Sequence, residues 1–219
     1  MGREIDLLVS YPRTSRNVEE RGNAKTEEDR RIARQFGRDF FDGDRRHGYG
    51  GFRYLPRFWQ PVIPAFVRHF ELNAGSSLLD VGCGKGFMLY DLALLVPGIT
   101  VKGVDISDYA IENTIEAMKA NVQVADAKDL PFPDKSFDVV IAINTIHNLE
   151  QEECGQALRE IERVARTGSF ITVDAYRTEQ ERVRMLAWNL TAKTILSVDE
   201  WKAFFADVGY RGDYYWFIP

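Results

Sequence analysis

The chain has 219 residues, 28 Lys and Arg against 33 Asp and Glu, a net charge of −5 and 45% hydrophobic residues. A chain of this length buries a substantial core without metal or disulfide staples. Cys83 and Cys154, its two cysteines, suit neither a disulfide framework nor a cysteine-based zinc site, so a reducing cytoplasm is the expected setting. No stretch approaches the roughly 20 apolar residues of a membrane span, and the acidic balance argues against a grip on nucleic acid.

The charge is unevenly spread. Residues 1–70 hold 14 Lys and Arg against 10 Asp and Glu, a balance of +4, which leaves −9 for the remainder. Thr26 and Asp29 have capping-box spacing ahead of Ile32, Phe36, Phe40 and Phe41, which predicts a helix over 26–41 with an Arg-rich face. The following segment, 45–62, is dense in Gly, Pro, Arg and aromatic residues, has no helical or strand period, and reads as an ordered loop or an aromatic-rich cap. Residues 64–72 read as a second helix. The expected organisation is an N-terminal helical extension and lid over 1–72, followed by a main domain over 73–219.

From Ser77 the pattern changes. Strand-like runs at 77–81, 100–105, 122–126, 137–144 and 169–176 alternate with helical stretches that end near 96, 120 and 166. Near-continuous Val, Ile and Leu runs of this kind predict an α/β fold: a doubly wound, mostly parallel sheet with helices on both faces, here with an N-terminal helical cap. Ligands of such sheets bind beyond the C-terminal strand ends. The last nine residues, RGDYYWFIP, are short for a closing hairpin, so one edge strand or a minimal turn is expected. An exposed YYWFI edge would invite a second subunit, hence a possible homodimer.

The strongest motif is Asp80-Val81-Gly82-Cys83-Gly84-Lys85-Gly86, a strand running into glycines and then a helix. Its spacing is not that of a P-loop, and no hydroxyl residue follows Lys85. A dinucleotide fingerprint would need a small residue where Phe87 stands, which leaves a nicotinamide-dependent oxidoreductase as a weaker alternative. With Asp80 ahead of Gly82, Gly84 and Gly86, the sequence resembles class I S-adenosylmethionine-dependent methyltransferases over about 77–176. A sulfonium cation without a pyrophosphate favours a carboxylate beside the loop, whereas a dinucleotide phosphate would be repelled by it.

The resemblance implies a Rossmann-like fold with S-adenosylmethionine as cofactor. It places Asp80 near the methionine portion and the backbone of Gly82, Cys83, Gly84 and Gly86 along the cofactor. Asp105, followed by Ile106, would accept the ribose hydroxyls, with a helix cap shared with Ser107 as the secondary reading. Asp126 and Ala127 would read the adenine edge, and Ile143 and Asn144 would lie beneath the sulfonium. His147 falls where the family commonly has a histidine, either a base for the acceptor or a conformational anchor. Tyr176, at the rim of the fifth strand, and Tyr49, in the lid, are further catalytic candidates. Arg45, Arg46, Arg53 and Arg57 are candidate anion clamps, Trp59 joins the lid or packs the extension onto the sheet, and Phe40 and Phe41 read as packing. The expected reaction is methyl transfer to O or N of a small polar or anionic acceptor, saccharide-linked on a narrower likeness of the cap, with no metal. A silent S-adenosylmethionine-binding partner subunit is the alternative from another class.

Overall fold

The computed structural model describes residues 2–12, 25–48, 50 and 53–219. Ser77–Val81 (β1), Thr100–Asp105 (β2), Val122–Val124 (β3), Phe137–Ile143 (β4) and Ala165–Tyr176 (β5) lie parallel in the order β3-β2-β1-β4-β5. The order reverses at β1, so the loops after β1 and β4 diverge and open a cleft at the C-terminal strand ends. Successive residues of each strand face opposite sides, which is why nearly every position is apolar. Leu79, Val81, Val140, Ala142, Ile171 and Val173 enter one core, and Leu78, Val139, Ile141 and Phe170 enter the other.

Ahead of the sheet lie Glu27–Ala33 (α1), Arg38–Phe41 (α2), Pro56–Trp59 (α3) and Ile63–Phe70 (α4). The helix expected over 26–41 is broken, because Phe36 adopts a left-handed φ of 48° and turns its carbonyl outward to accept the Ser107 hydroxyl. The Thr26–Asp29 capping box forms as the spacing predicts. Phe87–Leu95 (α5) follows the glycines and, with α4, covers one sheet face. Asp108–Glu112 (α6) is shorter than the helix expected to 120. The Ile115 N–H leaves that helix to donate to the Lys85 carbonyl at 3.0 Å, and a 3-10 turn over Glu116–Asn121 completes the connection. Gln151–Val164 (α7) and Val198–Val208 (α9) cover the opposite face, and Glu179–Trp188 (α8) packs beside β5.

The closing edge is a single strand. Asp213–Phe217 (β7) pairs in parallel with Phe170–Asp174, and the two-residue Leu196–Ser197 (β6) pairs with the tip of β5. The edge expected to be open to another subunit is covered by the chain itself at Tyr214. There Tyr214 N–H donates to the Arg3 carbonyl at 3.1 Å, and Ile5 N–H donates to the Tyr214 carbonyl at 3.0 Å. No helix among the described residues is long and apolar enough to cross a membrane.

Candidate active site

The glycine loop leaves β1 and turns back at once. Gly82 and Cys83 donate their N–H groups to the Val104 carbonyl at 2.7 and 3.0 Å, which pins the loop to β2. Gly82 sits at φ 85°, and a Cβ there would lie 2.1 Å from the Thr145 hydroxyl, so only glycine fits between the loops after β1 and β4. Gly84 N–H then donates to Asp105 Oδ2 at 2.8 Å, while Asp105 Oδ1 accepts the Ser107 N–H at 2.9 Å. Asp105 thus ties the loop after β1 to the loop after β2, and Ser107 separately caps α6 through the Ala110 N–H.

A cavity of about 160 Å³ opens over this loop. Its walls are Asp80, Gly82, Cys83, Gly84 and Lys85 below, Phe87, Met88 and Ile143 at the sides, and Phe41 and Trp59 from the N-terminal segment. Asp80 is 5% exposed, and its carboxylate has no hydrogen bond or ion pair among the described residues. Burial, reinforced by repulsion from Asp105, pushes its pKa up to about 7. Burial also raises Asp105, against the pull of the backbone N–H groups it accepts. The Cys83 thiol is pushed up by burial and by both carboxylates, so it stays protonated and unreactive.

The structure gathers Asp80, Gly82, Cys83, Gly84, Gly86, Asp105 and Ile143 at one cleft. Ile106 is 55% exposed beside the β2 tip, and Ala125 N–H donates to the Asp105 carbonyl at 3.0 Å, which brings the Asp126-Ala127 turn next to it. Asp126 is half-buried and accepts the Lys128 N–H at 2.9 Å. Asn144, at a left-handed φ of 53°, is stitched to β5: its N–H donates to Thr172, and the Thr172 hydroxyl donates to Asn144 Oδ1 at 2.9 Å.

The catalytic candidates lie elsewhere. His147 is buried, its Nδ1 accepts the Asp174 N–H at 2.9 Å, and its carbonyl accepts two N–H groups from Lys193 and Thr194. Burial lowers its pKa despite the Asp174 carboxylate 3.7 Å away. The Tyr176 hydroxyl donates to Glu200 at 3.4 Å, on the β6 side of β5 and outside the cavity wall. Tyr49, with Gly51 and Phe52 of the expected lid, lies outside the described residues. Arg53 and Arg57 are exposed, Arg57 over the Phe58 ring, and Arg46 pairs with Asp44 at 3.7 Å; none of the four arginines lines the cavity.

Sequence reasoning missed two parts of the wall. Phe41, read as packing, faces the cavity beside Trp59, read as part of the lid or as packing. Lys85, weighed in the sequence only as a P-loop lysine and set aside, reaches back to the cap, and its ammonium donates to both oxygens of Asp42 at 2.6 Å. The available signal was the lysine itself, a charge placed in a loop otherwise built for close backbone approach.

Residues 79–173 match the family model described as a methyltransferase domain. The chain carries a class I S-adenosylmethionine-dependent methyltransferase domain. It is 32% identical over 154 residues to the 27-O-demethylrifamycin SV methyltransferase of Amycolatopsis mediterranei, covering 63% of this chain and 55% of that protein. It is likewise 32% identical over 152 residues to the demethylmenaquinone methyltransferase of Symbiobacterium thermophilum, covering 65% of this chain and 59% of that protein. The chain therefore spans somewhat over half the length of these two relatives. Among solved structures it is similar to MccD protein, with a TM-score of 0.54 and 26% identity, covering 66% of this chain and 68% of that one. The [4+2]-cyclase SpnF shares the fold of the methyltransferase domain at a TM-score of 0.55 and 21% identity, covering 78% of this chain and 61% of that one. S-adenosylmethionine is the cofactor of the family, which agrees with a glycine loop that carries a buried carboxylate and opens at the switch point of the sheet.

Proposed function

We propose that the protein transfers the methyl group of S-adenosylmethionine to a hydroxyl oxygen of a small molecule. The observation that carries this reading is Asp80, a carboxylate enclosed beside the glycine loop with no partner of its own. A buried carboxylate without a partner is costly, and a cationic ligand relieves that cost. The residues fit the cofactor in kind: Asp80 for its ammonium group, the loop backbone from Gly82 to Gly86 for close approach, and Asp105 with Ile106 for the ribose. Asp126 and Ala127 serve the adenine, and Ile143 with Asn144 lies at the sulfonium end. When bound, the cofactor supplies a methyl group made electrophilic by its positive sulfur.

The remaining work belongs to the chain. Alignment of acceptor and methyl group supplies much of the acceleration of such a displacement, up to ~7–11 kcal/mol in favourable intramolecular models. Phe41, Trp59, Phe87 and Met88 exclude water from that line. The wall is aromatic and aliphatic, and the arginines of the cap stand outside it. A hydroxyl carried on an apolar body therefore suits the cavity better than an anion. Relatives named as O-methyltransferases, from Pyrenophora dematioidea and Saccharothrix syringae, support oxygen as the accepting atom. His147 acts here as a positioning residue: its ring holds the turn after β4 against the end of β5, and its Nδ1 is already committed to a backbone N–H.

The test is calorimetry of the full chain with S-adenosylhomocysteine, followed by transfer of labelled methyl groups to a panel of phenols, macrocyclic alcohols, sugars and amines. Binding followed by labelling of a hydroxyl supports the proposal. Binding without turnover on any acceptor would instead favour a silent cofactor-binding subunit.

A further inference from the structure

We propose that Asp42 is a positioning residue for the cofactor loop: by pairing with Lys85 it holds Phe41 over Gly84 and sets how long the cofactor stays bound. The inference rests on the cofactor reading given above and concerns a residue of the cap, Asp42, that lies outside residues 79–173. Lys85 stands between two glycines of the loop, yet it is only 7% exposed. An ammonium group enclosed to that degree is costly unless it is paired. Its partner comes from the cap, because Asp42 closes α2 and receives two charge-assisted hydrogen bonds from Lys85 at 2.6 Å. The same carboxylate accepts the Tyr109 hydroxyl at 2.8 Å. Tyr109 belongs to α6, which begins just beyond the Asp105 tip of β2.

One side chain of the cap therefore fastens the loop that follows β1 and the helix that follows β2, next to the strand ends that carry Asp80 and Asp105. Burial pushes the Asp42 carboxyl upward, but Lys85 and Tyr109 overcome this and hold it below the usual range. The residue before it does the covering. The Phe41 ring stacks on Tyr109 at 6.5 Å between centroids, and its Cε1 stands 3.6 Å from the point where a Cβ on Gly84 would be. A second tie, from the Ser107 hydroxyl to the Phe36 carbonyl, anchors the start of the same stretch. Residues 36–42 are thus bound at both ends to the loops beneath them, with Phe41 in the cavity wall between the ties. Passage of a ligand past Phe41 requires the Asp42 end to let go, and letting go leaves the Lys85 charge enclosed without that carboxylate.

The experiment is stopped-flow release of S-adenosylhomocysteine from the full-length protein, followed by tryptophan fluorescence, for the unaltered chain, Asp42→Asn, Lys85→Met and the charge-swapped pair Asp42→Lys with Lys85→Asp. Loss of the pair is expected to speed release about tenfold in each single variant, equivalent to about 1.4 kcal/mol. The swapped pair is expected to restore at least part of the slower release, and thermal melting of each variant without ligand separates this effect from loss of folding. A merely structural role would lower the melting temperature and leave the release rate of the folded fraction unchanged. Unchanged release in Asp42→Asn, with the unaltered chain binding normally, would overturn this inference alone. Failure of the unaltered chain to bind would overturn the cofactor reading and this inference with it.

Discussion

Asp80 concentrates the chemistry of the site because its ionisation is opposed from two sides. The low dielectric around it and the neighbouring Asp105 both favour the neutral acid, so its pKa is pushed up from the usual carboxylate range to about 7. A group raised in the folded state contributes stability that is fully present below about 4 and is lost as pH rises through 7. A cationic ligand reverses the balance by favouring the carboxylate. S-adenosylhomocysteine affinity, measured calorimetrically, is therefore expected to rise from pH 5.5 to 7.5, with release of up to one proton per ligand bound at the lower end. Asp80→Asn should weaken binding and flatten that slope; a variant that keeps the slope would place the titrating group elsewhere. Asp80 was legible in the sequence because a carboxylate before three spaced glycines has a physical reason to be there. His147 was legible only as a choice between two roles. The backbone N–H that occupies its Nδ1 comes from Asp174, 27 residues on, and no local pattern encodes that contact.

At the scale of elements, the strands were readable because parallel strands buried on both faces leave an unbroken apolar run, and helix and strand periods alternate cleanly after Ser77. The N-terminal helix was misjudged for a tertiary reason. Phe36 pays the cost of a left-handed backbone, about 1 kcal/mol or more for a residue with a side chain, and so presents its carbonyl to Ser107. The Arg-rich face of α1 also found a use that composition could not show. Lys25, Arg30 and Arg34 donate to the carbonyls of Trp188, Asn189 and Ala192 at the end of α8, where a helix welcomes positive charge. The short strap at the opposite edge has a measurable role. Arg3 and Ile5 satisfy the outward backbone of Tyr214, and Leu7 is buried in the core on the α4 side. Removing residues 2–7 is expected to lower the melting temperature, with about 1.5–3 kcal/mol lost from Leu7 alone. It should also leave the β7 edge open to association, read as a larger mass by light scattering. A monomer of unchanged stability would show that the strap is dispensable.

Across the whole molecule, the division of charge corresponds to a division of place. The −9 portion contains the strand-end carboxylates, and the +4 portion supplies the segment above them, with Phe41 and Trp59 in the cavity wall. The cationic surplus is not spent on the cavity. Within the cap, His47 lies 3.0 Å from Asp29 and Arg31 pairs with Glu28, while Arg30 and Arg34 reach the α8 end. Two anchors then set the aromatic wall: Asp42 on Lys85 beside Phe41, and the buried Asp91, which accepts the Tyr54 hydroxyl at 2.6 Å and Gln60 at 3.1 Å beside Trp59. Deleting residues 1–60 would leave the remaining chain more acidic, and long-range attraction for a cation would rise. Loss of the two rings acts against this. Full burial of a Phe-sized side chain is worth about 1.5–3 kcal/mol, so losing two partly covered rings predicts binding weaker by roughly ten- to a hundredfold. The truncated protein is expected to bind S-adenosylhomocysteine that much more weakly and to lose methyl transfer, because its cavity no longer excludes water. Removing residues 2–7 alone, which takes away the strap and leaves the wall in place, is the control for the sheet edge and should retain the affinity. Equal kinetics in the 1–60 deletion and the intact chain would show that the wall over the glycine loop has no part in the reaction.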